Sequence, residues 1–134
     1  MADSTIHLKV VTPTGKLFEG EVQSCVATGV GGAFEVLPEH IAFLTAVIPG
    51  PLRFSVDREA KSFAIGDGFL QVAGTKVTCM TSWAVESSAL DAATVKDELA
   101  SAEKQLAAYG PDDAEYITAT RAVADARGKA MALP

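Results

Sequence analysis

The chain has 134 residues, of which 49% are hydrophobic and 21% charged, a composition typical of a globular protein rather than a disordered or fibrous one. Eleven basic against seventeen acidic side chains give a formal net charge of −6 at pH 7. Such a charge repels phosphate backbones and anionic membrane surfaces on average, so nucleic acid is excluded as an expected partner.

The N-terminal residues 1–5 lack both the basic and apolar regions of a signal peptide and the Arg-rich pattern of a transit peptide, so we expect no processed leader. The longest apolar stretch, residues 41–52, is interrupted by Pro49 and Pro51 and is shorter than the ~20 residues that cross a bilayer. Any membrane association is therefore expected to go through a partner.

The two cysteines, Cys25 and Cys79, form no C-x-x-C pair and lie inside apolar runs. This setting favours small buried hydrophobic residues, which is weakly indicative of a reducing compartment. A disulfide or a reactive thiol is the alternative.

Residues 6–85 consist of short alternating runs separated by turn residues, the period-two pattern of half-buried antiparallel strands. In the first run Ile6, Leu8 and Val10 are predicted to face a core, while His7 and Lys9 face water. A turn is predicted at 13–16, and further strands are predicted at 18–22, 24–28, 33–37, 52–56, 62–65, 69–72 and 76–85. This number of short strands predicts a sandwich or barrel.

After Glu86 the sequence becomes Ala-rich and loses its alternation. One helical face is predicted from the spacing of Val95, Leu99, Ala102, Leu106 and Tyr109. Ser88 or Asp91 is expected to cap this helix, and Gly110-Pro111 to end it.

A second helix is predicted to begin where Asp112 and Glu115 stand at capping-box spacing. Its small apolar face comprises Tyr116, Ala119, Val123, Ala126 and Ala130. Two helices joined by so short a break must lie antiparallel, and small faces bury little apolar area, so the hairpin needs a neighbour. The sequence thus predicts a β-sandwich N-terminal domain, residues 1–86, followed by an antiparallel α-helical hairpin, residues 87–134.

No motif predicts catalysis, a metal or a cofactor. Gly29, Gly31 and Gly32 follow a predicted strand, but no Lys-Ser/Thr comes after them and the next segment is a predicted strand, so a hairpin turn is favoured over a phosphate loop. The histidines His7 and His40 have no cysteines or clustered carboxylates at ligand spacing. Hydrolase, metalloprotease and Walker sequences are missing, so an enzyme is the least favoured class.

Several segments, in order, resemble the signature of the ATP synthase epsilon subunit of bacteria and plastids, called delta in mitochondria. They are a glycine turn at 28–32, a proline-histidine loop with a threonine-alanine step at 37–46, a Pro-Gly before the strand at 49–53, a glycine-led strand at 68–72 and a helix start at 89–91. Each segment is weakly specific, whereas the ordered set is strongly so.

The resemblance implies a non-catalytic rotor subunit of F-type ATP synthase, which binds the gamma subunit and the c-ring and couples ion translocation to ATP synthesis. The hairpin would reach the alpha and beta catalytic subunits transiently. The expected location is peripheral, on the cytoplasmic face of the bacterial inner membrane, or on the corresponding mitochondrial or plastid complex. Carried over to this chain, the contact with gamma or the c-ring comprises Gly29, Gly31, Gly32, His40, Phe43 and Thr45.

The family also divides by regulation, since some bacterial members bind ATP at the hairpin or inhibit hydrolysis by extending it. The ATP-binding members carry Asp-x-x-Arg-Ala at the first helix, whereas this chain has Thr94 in place of the Arg. Residues 86–134 carry five basic and nine acidic side chains, and a hydroxyl cannot offset phosphate charge, so weak or no ATP binding and little inhibition are expected. The alternative function is a free-standing β-sandwich binding module with a helical dimerisation tail.

Overall fold

The computed structural model describes residues 4–38 and 41–134. Across these residues the chain forms strands, a short 3-10 helix (Ser87–Ala89) and two longer helices. The strands are β1 (Ile6–Thr12), β2 (Gly15–Val22), β3 (Cys25–Gly29), β4 (Gly32–Val36), β5 (Phe43–Val47), β6 (Gly50–Val56), β7 (Glu59–Ile65), β8 (Gly68–Ala73), β9 (Lys76–Thr81) and β10 (Ala84–Glu86). The helices are α1 (Ala92–Ala107) and α2 (Tyr116–Met131). Neither has the length and hydropathy of a membrane-spanning segment.

The strands follow one path, β10-β7-β6-β3-β5-β8-β9-β1-β2, and β4 pairs with β3. The path is nearly interrupted at its middle, because β3 and β5 are joined through one residue pair, Gly29 and Val47. It therefore divides into a first sheet, with β10, β7, β6, β3 and β4, and a second sheet, with β5, β8, β9, β1 and β2. Side chains of both sheets share one core, which confirms the predicted β-sandwich. The parallel pairing of β1 with β9 departs from the antiparallel expectation.

The core follows the alternation read from the sequence. Ile6, Leu8 and Val10 are at most 1% exposed, while His7 and Lys9 point outward and are half-buried. The aromatic part of the core comes from neighbouring elements, with the ring centroids of Phe18 and Phe54 4.7 Å apart. Cys25 and Cys79 are buried free thiols, as predicted. No disulfide links the described core residues.

Two strand predictions were wrong. Strand β5 was not predicted at all, yet it pairs with β8 over five residues. The predicted strand at 76–85 is divided, because β9 pairs within the second sheet while β10 crosses to pair with β7 in the first. The crossing is fixed at Thr81, whose buried hydroxyl donates to the carbonyl oxygen of Gly66 at 2.8 Å and also lies 3.1 Å from the carbonyl oxygen of Trp83.

The helix ends also differ from the sequence pattern. Asp91, one of the two predicted cap residues, caps α1 by accepting a hydrogen bond from the backbone N–H of Thr94 at 3.0 Å. Helix α1 ends at Ala107, so Tyr109 lies beyond it. The predicted capping box at Asp112 is wrong, because α2 begins at Tyr116 and its N-cap residue makes no side-chain cap.

The helices form the predicted antiparallel hairpin. Early residues of α1 meet late residues of α2, as in the ion pair between Glu98 Oε2 and Lys129 Nζ at 3.1 Å. The small face of α2 packs against β6 and β7. This places α2 over the outer side of the first sheet, where Pro51 and Ala64 are buried.

Candidate interaction surfaces

The outer side of the second sheet carries a row of apolar side chains, which we name the outer strip: the half-buried Val11 and the exposed Leu44, Ala46, Phe69 and Met80. Phe69 pairs with Ala46 on one side and Met80 on the other, and Met80 pairs with Val11. Leu44 is 63% exposed, Phe69 52% and Met80 43%. Such a contiguous exposed apolar row is typical of a protein-binding surface.

The strip was not predicted from the sequence. Its signal was the occurrence of two consecutive apolar residues in one strand, as in Phe69-Leu70 and Cys79-Met80. Because successive side chains of a strand point to opposite faces, one of each pair must face outward. Leu70 and Cys79 are indeed fully buried, and their neighbours form the strip.

The predicted glycine turn forms the tip of the β3–β4 hairpin. Gly29 pairs with Gly32 across it, and the side chain of Val30 is 82% exposed. Gly32 has φ +118°, a conformation that L side chains rarely adopt, whereas a Cβ on Gly31 would meet nothing within 4 Å. The turn is thus a fixed projection with open space around Gly31.

The other predicted contact residues are divided between two faces. Phe43 packs against the core, with its ring centroid 5.8 Å from that of Phe34. Thr45 is half-buried on the same inward side, and its hydroxyl donates to the carbonyl of Ala46 at 3.4 Å. His40 lies outside the described residues. The structure therefore brings Phe43 and Thr45 together in β5, away from the exposed side of that strand.

A second contact surface joins α2 to the first sheet. A Cβ on the buried Gly128 would lie 2.7 Å from the backbone N of Gly50 and the backbone C of Pro49. The Arg53 guanidinium donates to the Met131 carbonyl at 3.3 Å near the end of α2. This close approach requires glycine in the last turn of an otherwise Ala-rich helix.

Charged side chains flank this seam. The Lys129 ammonium lies 5.3 Å from the ring centroid of Trp83, within cation–π range. Arg127 lies 3.5 Å from a carboxylate oxygen of Glu103, and Arg121 lies 4.0 Å from one of Asp67. These basic side chains of α2 thus face carboxylates of the same chain.

The start of α1 has its own polar contacts. Asp91 accepts from both the backbone N–H and the hydroxyl of Thr94, at 3.0 and 2.7 Å. The hydroxyl donor is the larger of the causes that lower the pKa of the Asp91 carboxyl. The carboxylate that opens the helix is therefore already engaged within the chain.

The described residues hold no cluster of three or more His, Cys, Asp or Glu side chains that could bind a metal. A groove of about 790 Å³ lies beside the aromatic core and the last three residues. Its charged lining is mixed: Arg53, Lys61, Glu59 and Glu86. No histidine or cysteine is among the described residues that line it.

Comparison with known proteins identifies the family. Residues 5–87 match the sequence model of the family described as ATP synthase, Delta/Epsilon chain, beta-sandwich domain. The chain is 32% identical to the ATP synthase epsilon chain of Laribacter hongkongensis over 97% of this chain and 94% of that one. It is 38% identical to the epsilon chain of Chlorobaculum tepidum over 60% of this chain and 92% of that one.

A solved structure shows the same fold. The Euglena gracilis mitochondrial ATP synthase assembly of OSCP, F1 and c-ring contains a chain that matches with a TM-score of 0.80 and 21% identity, over 93% of this chain and 79% of that one. The likeness covers both the sandwich and the hairpin, since it leaves out less than a tenth of the chain. With the family match over the sandwich and a relative aligned along nearly its whole length, the chain belongs to the ATP synthase epsilon chain family.

Proposed function

We propose that the chain is a non-catalytic central-stalk subunit of F-type ATP synthase, which turns with the gamma subunit and the c-ring and so helps to couple ion translocation to ATP synthesis. The observation that carries this proposal is the outer strip, an exposed apolar row on the flat face of a closed β-sandwich in a chain of this family. A stiff sandwich is suited to transmitting torque, because its strands are tied across two sheets that share one core.

The outer strip is the proposed contact with the gamma subunit. Phe69 and Met80 project from β8 and β9, which are each paired on both sides, so the backbone beneath them needs little ordering on binding. A patch of Phe, Met and Leu is the residue content expected at the centre of a protein interface. Support for a rotor contact comes from the solved neighbours, which are chains of the OSCP, F1 and c-ring assembly of Euglena gracilis and of the central stalk and c-ring of Tetrahymena thermophila mitochondrial ATP synthase.

The β3–β4 turn is the proposed contact with the polar loops of the c-ring. Gly29, Gly31 and Gly32 shape a narrow projection, and Val30 at its tip is exposed. The proposed contact with gamma or the c-ring also includes His40, Phe43 and Thr45, which follow β4 in the chain. Phe43 and Thr45 contribute from the inner side, by holding β5 in position. The location that follows is peripheral, on the cytoplasmic face of the bacterial inner membrane, because the relatives named above are bacterial.

The hairpin is proposed to act mainly as a docked structural element, with weak or no ATP binding and little inhibition of hydrolysis. Its basic side chains Arg121, Arg127 and Lys129 lie near carboxylates of the same chain, which leaves less charge to attract acidic loops of the alpha and beta subunits. The Thr94 hydroxyl is bonded to Asp91 and provides no cation for a phosphate. Contact with the catalytic subunits is accordingly transient.

The alternative, a free-standing binding module that dimerises through its helices, has less support. Dimerisation through the apolar face of α2 would need that face to be free. Instead Ala119, Val123, Ala126 and Gly128 are buried within the chain. The hairpin therefore packs against the sandwich of its own chain.

Affinity purification from the native host, followed by mass spectrometry, tests the proposal. A central-stalk subunit should bring down gamma and the other ATP synthase subunits in near-stoichiometric amounts. Recovery of the tagged chain alone, or as a homodimer, would favour the binding-module alternative.

A further inference from the structure

A side-chain cluster joins β1 to β2 on the outer face of the second sheet. His7 lies opposite Glu21 in the strand register. Its Nδ1 is 3.0 Å from Glu21 Oε1 and its Nε2 is 2.7 Å from Glu19 Oε2. Thr5 donates its hydroxyl to the other oxygen of Glu21 at 2.8 Å, and Lys16 donates to the other oxygen of Glu19. The imidazole thus bridges two carboxylates of one strand.

This geometry requires a particular protonation state. A neutral imidazole has one N–H donor and one lone pair, and an ionised carboxylate offers acceptors alone. With two carboxylates at hydrogen-bond distance, one on each ring nitrogen, a neutral ring would set a lone pair against an oxygen. The doubly protonated imidazolium satisfies both contacts with charge-assisted hydrogen bonds.

Strand β2 is the strand that depends on these bonds. Among the described strands it pairs with β1 alone, and it is the last strand of the path. Most of its side chains are exposed, and Val22 at its end is its one buried residue. Beyond its ladder to β1, β2 is therefore held by Val22 and by the half-buried Phe18, which packs against Phe54, while its other side chains are exposed.

We propose that His7, Glu19 and Glu21 form a proton-dependent clamp, which fastens the edge strand β2 to β1 when the imidazole is doubly protonated and releases it when a proton leaves. The clamp is independent of the proposed docking on gamma, since it acts within the isolated chain.

The charged groups around His7 determine when the clamp opens. On β2 these are Glu19, Glu21 and Lys16; on β1 the next outward residue is Lys9; and on β9 Lys76 lies opposite His7. The hydrogen bonds to Glu19 and then to Glu21 raise the pKa of His7 above its ordinary 6.5, against desolvation. Hydrogen bonds from Lys16 and then from His7 lower the pKa of Glu19 to about 2, so that carboxylate stays ionised throughout.

The sign of the pH dependence follows from the raised pKa. A histidine whose pKa is raised by folding contributes stability that is fully present below the unfolded value of about 6.5. That contribution is lost as the pH rises through the folded value. The β2 edge is therefore expected to loosen on the alkaline side of neutrality.

Two measurements on the full chain test the clamp, an NMR titration of the His7 ring and hydrogen exchange of the β2 amides, from about pH 5.5 to 8.5. We expect the ring to titrate above 6.5 and the β2 protection factors, corrected for intrinsic exchange, to fall several-fold across that transition. His7→Gln and Glu21→Gln should both flatten the pH dependence of protection. Glu35→Gln, at an exposed carboxylate of β4 in the first sheet, is the matched control and should leave it unchanged.

Either of two results would overturn the proposal. One is a His7 ring that titrates at or below 6.5, and the other is β2 protection whose pH dependence is the same in the wild type and in His7→Gln. Glu21→Gln keeps the size and the hydrogen-bonding reach of the side chain while removing its charge. It therefore still tests the clamp if His7→Gln changes the structure of β1.

Discussion

Cys25 and Cys79 are both 0% exposed in the core. Burial raises the pKa of each thiol to about 12, since the apolar surroundings disfavour the thiolate. The thiolate is the reactive form, so these cysteines are packing residues in the folded chain. Their raised pKa values also mean that the stability they contribute is lost as the pH rises above their ordinary value of 9.0.

We predict that neither thiol reacts with an aromatic disulfide reagent at about pH 8, where roughly one thiol in ten thousand would be ionised in the folded state. The same reagent should count two thiols after unfolding in denaturant. Absorbance of the released thiolate measures both. Rapid reaction of either cysteine in the native protein would show that the core around it opens readily.

At the scale of elements, the sequence predicted those strands whose alternation is local and complete. The apolar-polar pattern of β1 sufficed to orient Ile6 and His7. Strand β5 was missed because Leu44 and Ala46 are apolar on its outer side, which hides the alternation, and because its pairing with β8 comes from residues far along the chain. The break between β9 and β10 depends on the hydrogen bond from the Thr81 hydroxyl to the Gly66 carbonyl. These residues are far apart in the chain, so no local sequence pattern predicts the bond.

The candidate site was less predictable than the fold. Periodicity identifies which side chains can face a core, but an exposed apolar side chain is recognised as part of a patch only when its cross-strand neighbours are known. Phe69 is recognised as part of an apolar patch because Ala46 and Met80 lie beside it on the neighbouring strands. Helix propensity likewise gives no reason for Gly128 in α2, because the approach of Pro49 that requires a glycine is a tertiary contact.

Helix α2 is predicted to undock when Gly128→Ala is introduced. Alanine favours the helix itself by roughly 1 kcal/mol, but the new Cβ would overlap backbone atoms of Pro49 and Gly50, and overpacking costs about 1–3 kcal/mol. Trp83, the one tryptophan of the chain, lies beside Lys129 at this seam and should report the change as a red-shifted fluorescence.

Gly31→Ala is the matched control for this substitution, because a Cβ there meets nothing within 4 Å. Its fluorescence and melting temperature should equal those of the wild type. An unshifted Trp83 emission in Gly128→Ala, with an unchanged melting temperature, would mean that the close approach of α2 does not hold in solution.

The hairpin is also predicted to bind ATP weakly or not at all. Thr94 offers a hydroxyl that is bonded to Asp91, and the region from Glu86 onward has five basic and nine acidic side chains, so its field repels phosphate. Isothermal calorimetry of the isolated chain with Mg-ATP should show no micromolar binding.

Deletion of residues 87–134 should leave the ATPase rate of the assembled enzyme nearly unchanged. A micromolar affinity for Mg-ATP would contradict the prediction of weak binding, and a large rise in ATPase rate would contradict the prediction of little inhibition.

At the scale of the whole molecule, we propose that residues 1–86 and 87–134 are separable domains. The large core side chains all belong to the strands, from Ile6 to Cys79, whereas the hairpin contributes mainly small ones. A 1–86 fragment should therefore melt cooperatively, with lower solubility because α2 no longer covers Pro51 and Ala64. Calorimetry of the fragment beside the full chain measures this, and a gradual, non-cooperative transition would place the boundary elsewhere.

The central claim is that the sandwich docks on the gamma subunit through the outer strip. Gel filtration of this chain with the gamma subunit of the same organism tests it most directly, using Phe69→Asp and Met80→Asp in the strip and Ile117→Asp as a control on α2, where Ile117 is 75% exposed. Each variant is first shown to melt like the wild type. We predict that the wild type and Ile117→Asp elute with gamma and that both strip variants elute apart from it. Separate elution of the wild type, or co-elution of the strip variants with gamma, would contradict the account.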